Sequence, residues 1–222
     1  MDNIILITQG SQAIHLVRKL FSLNYKPEQL KVLTILDKKN NCFIEFIKYY
    51  NITWEVISSS KELNTKLLDI KLHNKNLVIS FSNPYKISKH ILELPSKFIN
   101  FHPGLLPKYK GSLSTVHSMI NGETKVGGTW HYMTSKIDKG NILLQKEIDI
   151  EKLDTAFSLN HKIFEKGVSL LEDILYLVKI NYKGKKQENT GNFYKNKFPN
   201  INKLNLKLQK RITYFPPVYN EF

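Results

Sequence analysis

The 222-residue chain predicts an α/β fold: a doubly wound, mostly parallel sheet with helices on both faces, plus a small C-terminal β-hairpin or arm. Short β-branched runs alternate with stretches of helical spacing along the N-terminal half. The first run, Asn3 to Thr8, leads through Gln9-Gly10-Ser11 into Ala13, Ile14, Val17, Leu20 and Phe21, the strand, turn and helix that open such a sheet. The apolar run Phe98 to Phe101 then stops at His102-Pro103-Gly104, where the chain must turn at the end of a buried strand.

Lys31 to Leu36 reads as the second strand and Asn41 to Tyr50 as a helix with Phe43, Ile44, Phe46 and Ile47 inward. Thr53 to Ile57 is the third strand, followed by a helix over about 61–72 and a fourth strand from Leu77 to Phe81. Such alternation predicts parallel pairing with right-handed crossovers. After the loop at Ser82-Asn83-Pro84-Tyr85-Lys86-Ile87 comes a helix with Ile87, Ile91 and Leu94 inward, then the fifth strand from Phe98. Leu105 to Lys110 is a loop, and Leu113, Val116, His117 and Ile120 fit a helix stopped by Asn121-Gly122. Lys125 to Met133, broken by Gly127-Gly128, and Ile142 to Ile150 are strands on either side of a loop with a glycine, Gly140, suited to a left-handed conformation. Asp154 or Thr155 caps a single long helix with Ala156, Leu159, Ile163, Gly167, Leu170, Leu171, Ile174 and Leu177 inward.

The pattern breaks at Tyr182. Residues 1–180 therefore read as one domain and 181–222 as a smaller unit packed on it or on a second subunit. Phe193, Tyr194, Phe198, Ile201, Ile212, Tyr214, Phe215 and Tyr219 make that unit too apolar for a disordered tail.

Net charge is +14, and from Asn181 onward nine Lys/Arg stand against Glu188 and Glu221. Such a surface suits an anionic or nucleotide-bearing ligand, and it is equally the solvated face of a lysine-rich composition. A single cysteine, Cys42, precludes an internal disulfide and, with no signal peptide evident, points to the cytoplasm. No membrane segment and no metal-ligand cluster is expected. The turn at Gln9-Gly10-Ser11 lacks the further glycines of a dinucleotide fingerprint, though it can hold an anion at the helix start.

Asn100 and His102 stand two apart on a strand, so they point the same way at its carboxyl end, where open α/β sheets bind ligands. An amide donor beside a titratable base suits acyl transfer. Ser112 and Ser114 follow Gly111 with no nucleophile-elbow pattern.

The longer string Asn100-Phe101-His102-Pro103-Gly104-Leu105-Leu106-Pro107-Lys108-Tyr109-Lys110-Gly111, with Ile137-Asp138-Lys139-Gly140 downstream, resembles the folate-dependent formyltransferases from about Leu77 to about Ile150. The resemblance implies a Rossmann-like fold and transfer of a formyl group from 10-formyltetrahydrofolate to a primary amine, without a metal. It implies that Asn100 donates to the oxyanion, His102 relays the proton and Asp138 orients or charges His102. It implies a folate site at Phe81, Pro84, Tyr85, Lys86 and Ile87 and at Thr134, Ser135, Lys136 and Ile137. It implies acceptor contacts from Gln9, Gly10, Ser11, Tyr109, Lys110 and His131, the last as support or lining.

Ser112-Leu113-Ser114-Thr115 departs from the tRNA and aminoarabinose branches of the family, and the segment after the last helix is too short for the tRNA branch's C-terminal barrel. The compact core and the Tyr214-Phe215-Pro216-Pro217 arm look most like the sugar-nucleotide N-formyltransferases. That likeness implies a nucleoside-diphosphate amino-deoxy sugar as acceptor (for example a dTDP-4-amino-4,6-dideoxyhexose), a role in lipopolysaccharide or O-antigen synthesis, and a homodimer through the C-terminal segment. The alternatives are the glycinamide ribonucleotide transferase of purine synthesis and, from another class, a nucleic-acid-binding module using the basic aromatic segment.

Overall fold

A computed structural model describes residues 3–36, 41–70, 72–73 and 75–214. Its centre is a seven-stranded sheet in the order β3-β2-β1-β4-β5-β7-β8. The first five strands are β1 (Asn3–Thr8), β2 (Leu30–Thr34), β3 (Thr53–Val56), β4 (Asn76–Phe81) and β5 (Lys97–His102), all paired in parallel. β7 (Lys125–Tyr132) and β8 (Ile142–Asp149) extend the sheet antiparallel. Strand order reverses between β1 and β4, the kind of crevice where open α/β sheets bind ligands.

Helices cover both faces because the strands are apolar on both. On one face α1 (Gln12–Ser22), α2 (Asn41–Tyr49) and the pair α6 (Ala156–Ser169) and α7 (Leu171–Lys179) pack over Ile4, Leu6, Ile79, Phe81, Ile99 and Phe101. On the other, α3 (Ser60–Asp69) and α4 (Lys89–Leu92) bury Leu63, Leu67 and Ile91 against Ile5, Ile7, Val78 and Phe98. Leu16 and Leu20 of α1, one turn apart, are fully buried, and each such side chain contributes about 1.5–3 kcal/mol of transfer free energy.

Several elements differ from the sequence reading. The single long helix is two, joined at Leu170, whose φ of −82° and ψ of −5° stay right-handed but depart from regular α-helix values. Two neighbouring carbonyls are engaged there by other donors: Gly167 accepts the Trp130 indole N–H at 2.8 Å and Lys166 accepts the Ser169 hydroxyl at 2.8 Å. Thr155 caps α6, accepting the Ser158 N–H at 3.0 Å. The helix before Pro95 shrinks to the one turn of α4, since a residue preceding proline disfavours the helical region. β7 runs unbroken through Gly127 and Gly128, and its irregularity falls at Trp130/His131 instead. Part of the expected loop 105–110 is a short strand, β6 (Tyr109–Gly111), leading to α5 (Ser114–Ile120).

The C-terminal segment is an arm rather than a hairpin. Lys185 bridges to Ile142, β9 (Asn192–Tyr194) pairs in parallel with β6, and α8 (Leu206–Thr213) packs beside α5 and α6. β6 supplied a partner strand from far away in sequence, so no local turn was needed. Phe215, Pro216, Pro217 and Tyr219 lie outside the described residues.

Candidate active site

Asn100 and His102 share a face of β5, as alternation requires. Asn100 sits directly across the antiparallel ladder from His131 on β7. Opposed residues in such a ladder bring their side chains within reach, and the Asn100 Nδ2 lies 3.1 Å from His131 Nε2. His131 Nδ1 lies 2.8 Å from the Tyr132 carbonyl, which can only accept, so the proton is on Nδ1. His131 Nε2 thus faces both the Asn100 amide and Asp138, and the second Asn100 N–H is left for a ligand.

His102 is buried, 4 % exposed. Its Nε2 is 2.6 Å from the Tyr109 carbonyl, which assigns the proton to Nε2 and leaves Nδ1 as the basic nitrogen. Nδ1 lies 3.5 Å from Asp138 Oδ2. Burial pushes the His102 pKa down, more than the Asp138 charge and the Tyr109 carbonyl push it up. Ser114 Oγ is 3.2 Å from the protonated Nε2. That nitrogen has no lone pair to activate the hydroxyl, so the Ser114–His102 contact is not a nucleophilic pair. A Cβ on Gly104 would fall 2.6 Å from His102 Nε2 and 2.8 Å from Ser114, which explains a glycine two residues after His102.

Asp138 joins the two imidazoles. Its Oδ1 is 3.5 Å from His131 Nε2, and its Oδ2 accepts the Gly111 N–H at 2.7 Å. Burial acts to raise its pKa, but His131, His102 and the Gly111 N–H together hold it below the usual carboxylate range. The left-handed residue of this loop is Asp138 itself, with φ of 53°, and not Gly140. Gly140 is required for a different reason: a Cβ there would lie 1.7 Å from the Tyr132 carbonyl. Among the described residues no group of three His, Cys, Asp or Glu is arranged to hold a metal ion.

These side chains open into one cleft of about 1050 Å³ at the carboxyl ends of β1, β4 and β5. Pro84, Tyr85, Lys86 and Ile87 line one end together with Thr134, Ser135, Lys136 and Ile137. Neighbours hold the first of these loops. Asn83 Oδ1 accepts the Tyr85 N–H at 2.9 Å, Ser60 Oγ accepts the Lys86 N–H at 3.0 Å, and Asn64 Nδ2 donates to the Lys86 carbonyl at 3.1 Å. Phe193, Lys195, Asn196 and Phe198 of the arm line the cleft as well.

Not every expected residue faces this space. Phe81 lies on the opposite face of β4, in an aromatic cluster with Phe101, Trp130 and Phe164. Gln9 lines the cleft, whereas Gly10 and Ser11 form the turn into α1. Tyr109 is buried, its hydroxyl donating to Glu123 at 2.7 Å, and it serves His102 through its carbonyl. Lys110 turns away to the Thr190 carbonyl. The strand pairing of 109–111 with the arm dictates both orientations. Sequence reasoning missed the Tyr109 carbonyl, the Gly111 N–H and the link from His131 to Asp138; two adjoining apolar–polar strands were the available signal for the last.

A model of the formyl transferase family matches residues 9–175. The chain belongs to that family. The match begins well before Leu77, so β2 and β3 carry family likeness too. The GDP-perosamine N-formyltransferase of Brucella melitensis is 28 % identical over 193 residues, covering 86 % of this chain and 73 % of the relative. A methionyl-tRNA formyltransferase of Hydrogenobaculum is 37 % identical over 122 residues, but that covers 54 % of this chain and only 38 % of the relative. A crystal structure of an N-formyltransferase from Helicobacter canadensis, in complex with folinic acid and dTDP-3-aminofucose, superposes with a TM-score of 0.78. It covers 95 % of this chain and 80 % of that one, and at 22 % identity it speaks to the fold.

Proposed function

We propose that this formyltransferase moves a formyl group from 10-formyltetrahydrofolate to the primary amine of a nucleotide-linked amino-deoxy sugar. The observation that carries the reading is the Asn100–His131–Asp138–His102 cluster on the floor of a cleft large enough for two ligands. The 82–87 and 134–137 end suits the donor. Ile87, Met133 and the half-exposed Ile137 offer apolar contacts to a flat heterocycle, beside the backbone of a loop already ordered by Asn64 and Ser60. The arm suits the acceptor, because Phe193 and Phe198 can stack on a base and Lys195 can meet a phosphate.

In this reading His102 Nδ1 takes the proton as the acceptor nitrogen bonds to the formyl carbon. The free Asn100 N–H donates to the oxygen that gains the carbonyl electrons. When the bond from that carbon to the folate nitrogen breaks, His102 returns the proton to the departing nitrogen. Asp138 stabilises the cation that forms on His102 between these transfers. The extent of similarity to the perosamine enzyme, over most of both chains, favours a sugar acceptor over tRNA.

The test is a transfer assay with 10-formyltetrahydrofolate and a panel of GDP-, dTDP- and UDP-linked amino sugars, glycinamide ribonucleotide and methionyl-tRNA. Formylation of one nucleotide sugar, lost in His102→Ala, supports the proposal. Formylation of glycinamide ribonucleotide alone moves the protein to purine synthesis and overturns the sugar reading. A folate-independent, salt-sensitive shift with RNA or DNA and no transfer to any amine would favour the nucleic-acid module instead.

A further inference from the structure

The arm does more than wall the cleft, for it is stitched to both loops that carry the catalytic groups. Lys185 and Ile142 exchange backbone hydrogen bonds at 2.7 and 2.8 Å. Asn189 Oδ1 accepts from Lys139 Nζ at 3.1 Å, and the Tyr194 carbonyl accepts the Ser112 N–H at 2.9 Å. Between these anchors lies Gln187. Its Nε2 donates to the Asp138 carbonyl at 2.9 Å and to the Gly140 carbonyl at 2.6 Å. Both partners are carbonyls, so both amide N–H groups are committed to this one turn. The Oε1 of the same amide is buried and has no partner among the described residues, so the side chain's hydrogen bonding is directed to this turn.

Asp138 needs such a hold. It is a non-glycine residue with φ of 53°, a conformation that persists only when its surroundings enforce it. Its carboxylate reaches His102 and His131 at 3.5 Å each from that backbone, with Gly111 gripping it from the other side. We propose that Gln187 is a positioning residue for catalysis: its amide fixes the left-handed turn at Asp138 and thereby keeps the carboxylate against the His102 imidazole. The proposal rests on the catalytic reading of the Asp138–His102 pair.

Gln187→Met keeps the side chain's length and removes both donors. The direct readout is the His102 imidazole titration by NMR, which does not depend on turnover. Asp138 favours the imidazolium, so a carboxylate that drifts away lets His102 titrate at lower pH. Gln187→Met should move the titration the same way as Asp138→Asn and should add nothing on top of it in the double variant. The other charged neighbours, His131 on β7, Lys110 on β6 and Lys139 beside Asp138, are unchanged in all of these proteins. In turnover Gln187→Met should lose about ten- to a hundredfold in kcat with both KM values within about twofold, as expected for a misplaced group. Glu188→Ala, beside Gln187 on the same arm but exposed and outside these hydrogen bonds, should behave like the wild type.

A His102 titration unmoved in folded Gln187→Met, or a full further shift in the double variant, would overturn the proposal. If Gln187→Met does not fold, Gln187→Asn keeps an amide but withdraws it by one methylene, and the same titration decides. Failure of the wild type to transfer formyl would strike the functional reading, while the titration comparison would still judge the role of Gln187.

Discussion

The two ends of the cleft are built differently. The loop 82–87 and the turn at Asp138 close the ends of sheet strands, and side chains of α3 and the arm brace them at hydrogen-bond distance. The arm supplies another part of the wall. It is held by backbone pairing with β6 and presents Phe193 and Phe198, 53 % and 46 % exposed, to the cleft. The loops take their places from the strands they close and from the side-chain hydrogen bonds that brace them. The arm is tied to the same cluster through Gln187 and the Tyr194 carbonyl, while the rings of Phe193 and Phe198 are free of those bonds and face the cleft. The contrast teaches that one segment can brace the Asp138 turn through an amide side chain and still offer exposed rings to the cleft.

That contrast can be broken or sharpened by experiment. His102→Ala and Asn100→Ala should cost the most, about 10² to 10⁴ in kcat for any acceptor, because each removes a group acting on the reacting atoms. An acceptor-dependent loss would erase the contrast. Asp138→Asn should come next and should alter the pH profile. His102 must be neutral to accept a proton, and burial already holds its pKa below the ordinary imidazole value. Activity therefore falls off on the acid side below that value, and without the carboxylate the acid limb of kcat/KM moves to still lower pH. An upward movement would refute the assignment.

Smaller effects should separate the two ends. Phe198→Ala with Lys195→Ala should raise the acceptor KM about tenfold and leave the folate KM unchanged. Asn64→Ala should do the reverse, raising the folate KM about two- to tenfold, since it removes hydrogen bonds worth about 0.5–1.5 kcal/mol each from the 82–88 loop. Steady-state kinetics with each substrate varied in turn decides both. The smallest effect belongs to Thr155→Ala, which deletes the cap of α6 for about 1 kcal/mol, read as a lower melting temperature with kcat unaltered.

Much of this was legible in the chain. β1 matches its expected span residue for residue, α2 ends one residue short of its own, and α1 contains every apolar position that marked it, because apolar spacing reports which face is buried. The Asn100–His102 pair was equally visible, since alternation along a strand needs no knowledge of neighbours. Asp138 could be tied to that pair only through resemblance, because no local rule links residues so far apart. The Phe81 ring packs in the core and not along the cleft, since proximity in sequence to a loop does not say which side of β4 a ring occupies. The orientation of Lys110 toward the Thr190 carbonyl was not legible either, because it depends on the arm, far away in sequence.

The sequence by itself determined the alternating α/β plan, the strand that ends in Asn100 and His102, and the motif that marks the family. These follow from short-range periodicity and from residue types at fixed spacing. Only the tertiary structure decided that His131 stands opposite Asn100, that a backbone carbonyl assigns the proton on His102, and that Gln187 braces Asp138. Each depends on strand register or on hydrogen bonds between segments distant along the chain, and such contacts are chosen by how the whole fold buries its surface rather than by any local pattern.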